Sequence, residues 1–146
     1  FTAIKRGCYY LLRIIFIGEF MKRDMAVIRK LLFAIEENPN SIEVDGVSED
    51  TIKYHLALLI SANLVDGVVV EQNTKDEQSE IPLFVTVKSL NWNGHEFIAN
   101  LREDHVWSAI KRDFKDASFS TLVGVGKQLA EGYAKKKVEF LLNSES

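Results

Sequence analysis

The spacing of the apolar residues changes abruptly near Val68, and that change restricts the fold more than any other property of the chain. Before it, Met25, Ile28, Leu31, Leu32 and Ile35 recur every three or four positions, the period of an amphipathic helix whose other faces carry Lys22, Arg23, Arg29 and Lys30. Pro39, in Asn38-Pro39-Asn40, ends that helix. A second helix follows, with Ser48 as its N-cap, Glu49 and Asp50 favoured in the first turn by the helix dipole, and Ile52, Leu56, Leu59 and Ile60 as its buried stripe. From Val68 the sequence turns to β-formers: Val68, Val69 and Val70, a polar stretch, then Leu83 to Leu90 around Phe84, Val85, Thr86 and Val87. This predicts a β-hairpin with a long polar tip. Between the first two helices, Ser41 to Val44 alternates and predicts a short strand, followed by a turn at Asp45-Gly46.

Beyond the hairpin, Asn93-Gly94 leads into a third helical region through Phe97, Ile98, Leu101, Trp107, Ile110 and Phe114. Its apolar face rotates between Leu101 and Trp107, which predicts a bend or break at Arg102 to His105. A last helix, capped by Ser118 or Ser120, carries Leu122, Val125, Leu129, Tyr133 and Phe140. Gly124, Gly126 and Gly132 each weaken it by about 1 kcal/mol relative to Ala, so its stability depends on packing. At 146 residues, 47% of them hydrophobic, the chain is expected to build one core, with a domain over 21–117 and residues 118–146 as a helix that packs on it or dimerises it.

Residues 1–20 read differently. The apolar run from Cys8 to Ile17, interrupted by Arg13, is far short of the ~20 residues that span a bilayer. Gly18 and Glu19, which follow it, do not make a signal-peptide cleavage site. Purine-rich codons for Gly-Glu just before Met21 resemble a ribosome-binding site, so 1–20 is read as a non-native or misassigned leader; the alternative is an extra amphipathic helix. The single cysteine, Cys8, excludes an internal disulfide and points to a reducing, cytoplasmic setting, and nothing suggests a membrane.

Chemistry-bearing motifs are few. His55 borders the buried stripe of the second helix and is expected to be a packed, hydrogen-bonded residue. No pair of histidines has the spacing of a zinc-protease helix, so no metal is expected. Gly124-Val125-Gly126-Lys127 resembles the end of a phosphate loop, yet Gln128 replaces the magnesium-binding hydroxyl and Thr121 the first glycine. No dinucleotide fingerprint or nucleophile signature is present, so neither a cofactor nor an enzymatic activity is expected. The aromatic series Trp92, Phe97, Trp107, Phe114 and Phe119 has helical spacing and reads as core rather than as a base-stacking surface.

The order helix, short strand, helix, hairpin is that of a winged helix-turn-helix-like α+β domain with a hairpin wing and a C-terminal helical extension. Thr51 to Leu64, TIKYHLALLISANL, resembles the recognition helix of MarR-type and arsenical-resistance-type repressors, although the second helix usual in that fold is reduced to a turn between Asn38 and Ser48. MKRDM with Ile28-Arg29-Lys30, then YHLALLISANLVDG, then LNWNGHEFIANLRED with Val106-Trp107, resemble in that order a family of bacterial and phage proteins classed as a domain of unknown function. The resemblance implies a winged-helix-like fold and a prokaryotic or mobile-element setting, and supplies no activity to transfer.

On this reading Lys53, Tyr54, Ala57 and Ser61 form the outward face of the second helix, suited to base edges and phosphates in double-stranded DNA, and Lys22, Arg23, Arg29 and Lys30 supply phosphate contacts. Charge opposes the simplest version. Residues 1–35 hold seven basic and two acidic residues, residues 36–104 four and fourteen, and residues 105–146 seven and five, so the segment with the reading helix and wing carries −10. DNA binding therefore requires the basic first helix and the Lys111, Arg112, Lys115 cluster to fold beside the second helix, or a homodimer to bring them there. The opposing reading is a protein-interaction module that docks a partner on the acidic middle without touching DNA.

Overall fold

The computed structural model describes residues 21–72 and 80–144. Within them the chain forms α1 (Met25–Glu37), α2 (Glu49–Ser61), β1 (Val65–Val70), β2 (Phe84–Leu90), α3 (Trp92–Arg102), α4 (Asp104–Asp113) and α5 (Phe119–Ser144). The architecture is mixed α+β: five helices and one two-stranded antiparallel hairpin. The leader expected over 1–20, and Lys75, Asp76 and Glu77 of the hairpin tip, lie outside the described residues. No helix among the described residues is long and apolar enough to cross a membrane.

Local chemistry sets most element ends. The Asp24 carboxylate accepts from the Ala26 N–H at 2.9 Å and starts α1, and Ser48 Oγ accepts from the Thr51 N–H at 3.2 Å to start α2. Asn63, at φ 59°, closes α2 in the left-handed conformation, with Leu64 N–H donating to the Leu59 carbonyl and Asn63 N–H to that of Ile60, the paired bonds of a Schellman ending. The expected interruption near Arg102 falls at Glu103, which ends α3 and precedes α4. Ser118 Oγ accepts from Thr121 N–H at 3.2 Å in the first turn of α5.

One expectation is corrected and one is sharpened. Ser41 to Val44 is not a strand: turns on either side, with Ser41 N–H bonded to the Asn38 carbonyl and Val47 N–H to that of Val44, hold its backbone away from β2. Ile42 and Val44 still reach the core with their side chains, while a groove of about 410 Å³ separates Pro39, Asn40 and Ile42 from Phe84 to Val87. Second, Asn93-Gly94, expected to lead into the third helical region, lies within the first turn of α3; the cap is Asn91, whose Oδ1 accepts from Gly94 N–H at 2.9 Å. The same Asn91 donates from Nδ2 to the Asn63 carbonyl at 2.6 Å, which joins the end of α2 to the start of α3.

The core lies between α1, α3, α4 and the first half of α5, with α2 and the hairpin closing it. Ile28, Leu31, Leu32, Leu59, Leu101, Val106, Ile110 and Leu122 are wholly buried. Phe97 and Trp107 belong to this core and Phe114 and Phe119 are packed against it, but Trp92 is 76% exposed, unlike the rest of the aromatic series. Gly126 lies within α5 against Phe97 and Ile110, so the phosphate-loop-like fragment is helix rather than loop. Gly94 is buried where a Cβ would overlap the Leu64 carbonyl oxygen. Gly94→Ala is therefore expected to lower stability by about 1–3 kcal/mol in urea titration, as overpacking against backbone does, whereas Gly132→Ala, in open space, is expected to be neutral or stabilising.

Candidate functional site

His55 is the buried polar side chain of the described core and organises the surface around α2. Its Nδ1 donates to the Thr51 carbonyl at 2.7 Å one turn back along α2, which leaves Nε2 as the acceptor for the Asp24 N–H at 2.9 Å. This bond fastens the entry of α1 to the middle of α2. As expected from sequence, the residue is a satisfied core histidine.

The neighbouring Tyr54 sets its ring edge-on to His55, with centroids 5.2 Å apart. Burial pushes its phenol above the usual range, the Glu80 charge adds to that rise, and Arg23 opposes it, so the hydroxyl remains a neutral donor. Lys53, on the hairpin side of α2, donates to the Leu83 carbonyl at 3.1 Å and pairs with Glu49 at 3.4 Å. Ala57 is half-buried and Ser61 exposed. The four residues expected to read DNA thus share the outward side of α2, with Lys53 already committed to the hairpin.

Of the expected phosphate contacts, Lys22 and Lys30 are exposed. Arg29 is not directed outward: its Nε donates to the Leu101 carbonyl at 3.2 Å, and its guanidinium lies over Phe33 at 4.9 Å and Trp107 at 5.0 Å. Arg23 donates to the Ala117 carbonyl and lies 5.7 Å from the Phe119 ring centroid, tying the entry of α1 to the α4–α5 connection. Arg112 is engaged with Asp113 through Nε and Nη2, and those hydrogen bonds hold the Asp113 carboxyl below the usual carboxylate range.

The fold brings together a set of charges that are distant in sequence. Lys22 and Arg23, before α1, face Lys111 on α4 and Lys115 just after it across a groove of about 710 Å³, also lined by Asp24, Met25, Ala26, Ile110 and Asp116. The Lys111 ammonium lies 5.3 Å from the Trp107 ring centroid, which fixes one wall. Four cations against two carboxylates leave the groove positive, and the His55–Asp24 bond sets its rim against α2 beside Tyr54. The charge distribution requires the first helix and the Lys111, Lys115 cluster to come together beside the second helix for DNA binding; the fold brings the entry of α1 to that cluster, with Ile28 and Ile110 buried in one core. Around the start of α2, Glu43, Asp45, Glu49 and Asp50 are exposed and form an acidic rim. Among the described residues, no group of three or more His, Cys, Asp or Glu side chains is placed to hold a metal ion.

These placements separate structural cations from available ones. His55→Ala is expected to leave the Asp24 N–H without its acceptor and open a cavity, lowering stability by about 2–4 kcal/mol in thermal or urea denaturation. Lys22→Ala and Lys115→Ala, at exposed positions, are expected to stay within about 0.5 kcal/mol of the unmodified chain in the same measurement.

An uncharacterised protein of Haemophilus influenzae is 32% identical over 117 residues, covering 76% of this chain and 93% of that protein. No solved structure matches the chain. The family model described as "Hypothetical protein (DUF2513)" matches residues 22–120, from the basic groove through the start of α5, and the chain belongs to that family.

Proposed function

We propose that this protein is a DNA-binding regulator of winged-helix type, acting in a prokaryotic or phage setting in the cytoplasm by binding and not by catalysis. In this reading α2 enters the major groove and β1–β2 is the wing. The observation that carries it is the positive groove, in which Lys22, Arg23, Lys111 and Lys115 converge from separate parts of the chain and whose Asp24 wall is bonded to His55 of α2. Phosphates lie against these cations, while Tyr54, Ala57 and Ser61 meet base edges or sugars. Tyr54, kept neutral, donates a hydrogen bond rather than repelling phosphate. Lys53 fixes the wing to α2 through the Leu83 carbonyl, and Arg29 serves the core.

A second reading is favoured by a different surface. The exposed Glu43, Asp45, Glu49 and Asp50 at the start of α2 suit a basic face on a protein partner, with the same scaffold used for docking.

Fluorescence anisotropy against a random duplex and the native upstream duplex separates the two readings. If about four phosphates are neutralised, affinity falls on the order of 100-fold between 50 and 200 mM salt, and Lys22→Glu with Lys115→Glu flattens that dependence. No binding to either duplex at low salt would eliminate the DNA reading and leave the docking one.

A further inference from the structure

We propose that the groove between β2 and the α1–α2 connection binds an extended peptide segment of a partner protein, which adds to the free edge of β2 as a third strand. The inference does not depend on DNA binding. It rests on the docking reading, to which it gives a defined site and a partner of defined chemistry.

β1 and β2 form a two-stranded sheet, so β2 is paired along one edge only. From Phe84 to Lys88 no backbone hydrogen bond leaves the other edge among the described residues. Side chains of a strand alternate between its two faces, yet the consecutive residues Phe84, Val85, Thr86 and Val87 all border the groove. The strand therefore turns its backbone edge, rather than one face, toward it. Edges are commonly blunted by proline, charge or a bulge. None of these falls within Phe84 to Val87: Pro82 lies before the stretch, and Lys88, where the ladder slips opposite Asp66 and Gly67, lies after it. The opposite wall is similarly open, since neither Ile42 nor Glu43 has a backbone hydrogen bond among the described residues. Ile52 and Leu56 of α2 give the groove an apolar floor.

Size and charge select the occupant. Over the ~13 Å spanned by four strand residues, one added strand fills on the order of 600 Å³, whereas a helix ~10 Å across fills on the order of 1,000 Å³. The groove holds about 410 Å³, so it suits one strand lying partly in solvent and is too small for a helix. Lys53, the cation that lines the groove, is spent on the Leu83 carbonyl and on Glu49. Glu49 lines the groove as well, with its side chain 82% exposed, and belongs to the acidic rim with Glu43, Asp45 and Asp50. The matching segment is therefore one that alternates: apolar side chains face the Ile42, Ile52 and Leu56 surface, and Lys or Arg between them faces the rim. Main-chain bonds to β2 supply affinity, and the floor and rim supply selectivity.

Heteronuclear NMR of the full chain, titrated with an octapeptide of alternating Val and Lys, tests this. The amide resonances of Phe84 to Val87 and of Ile42 are expected to shift, and the free-edge amides of β2 to exchange about tenfold more slowly in the complex. Two further peptides, N-methylated on the Val residues or on the Lys residues, keep the charges and side chains but lose alternate backbone donors; at least one is expected to bind about tenfold more weakly. Glu43→Gln with Glu49→Gln is expected to weaken binding about threefold, both side chains being exposed. No shift at millimolar peptide would overturn the proposal while leaving DNA binding and docking on the rim standing. Binding retained by both N-methylated peptides would refute strand addition, and binding unchanged in Glu43→Gln/Glu49→Gln would refute a basic partner. Free-edge amides already protected without peptide would also overturn it, since residues 39–44 would then close the groove themselves.

Discussion

The geometry of the site depends on one imidazole. His55 has both ring nitrogens engaged, one with the carbonyl of its own helix and the other with the backbone N–H that begins α1. A backbone donor at a helix entry has no intrahelical partner, and burial without an acceptor is costly; His55 supplies that acceptor from a different element. It thereby fixes where Lys22 and Arg23 stand relative to α2. Arg29 performs the complementary task further along α1, where its guanidinium joins Phe33, Trp107 and the Leu101 carbonyl into one packed unit.

Charged residues on and around α1 therefore divide into two classes that composition alone does not separate. Arg23 and Arg29 are held by carbonyls and aromatic rings, and their planar guanidinium heads suit that use. Lys22, Lys30 and Lys115 remain in solvent. The resulting surface is polar in the electrical sense: a cationic groove lies at the entry of α1, which His55 fastens to α2, and an acidic rim lies at the beginning of α2. A polyanion near these elements meets fields of opposite sign, which restricts the orientation in which it can lie.

Much of this was legible in the sequence. The helical periods of α1 and α2, the Ser48 cap, the hairpin and the interruption at Glu103 follow from local patterns that the folded chain keeps. Ser41 to Val44 was misread because alternation reports which side chains reach the core, and Ile42 and Val44 do reach it; it does not report whether the backbone comes near enough to β2 to hydrogen-bond. Asn93-Gly94 marks the start of α3 but not its cap, because Asn91 caps the helix and Gly94 sits in its first turn against the Leu64 carbonyl. Of the site, the residue types on α2 could be named, but the groove could not, because Lys22 and Lys111 meet only through packing between α1 and α4. Periodicity likewise carries no information on whether Trp92, at the edge of α3, has a neighbour to cover it.

The unbroken passage of α5 beyond Tyr133 has a consequence for how related chains can vary. A helix converts residue count directly into direction: one residue inserted after Tyr133 turns everything beyond it by about 100° and advances it about 1.5 Å, while seven nearly restore the original heading. The body of the protein can absorb substitutions one at a time, yet this end of α5 responds to length as a screw does. Relatives that differ there by a few residues will aim their tips in different directions while keeping the same domain beneath them.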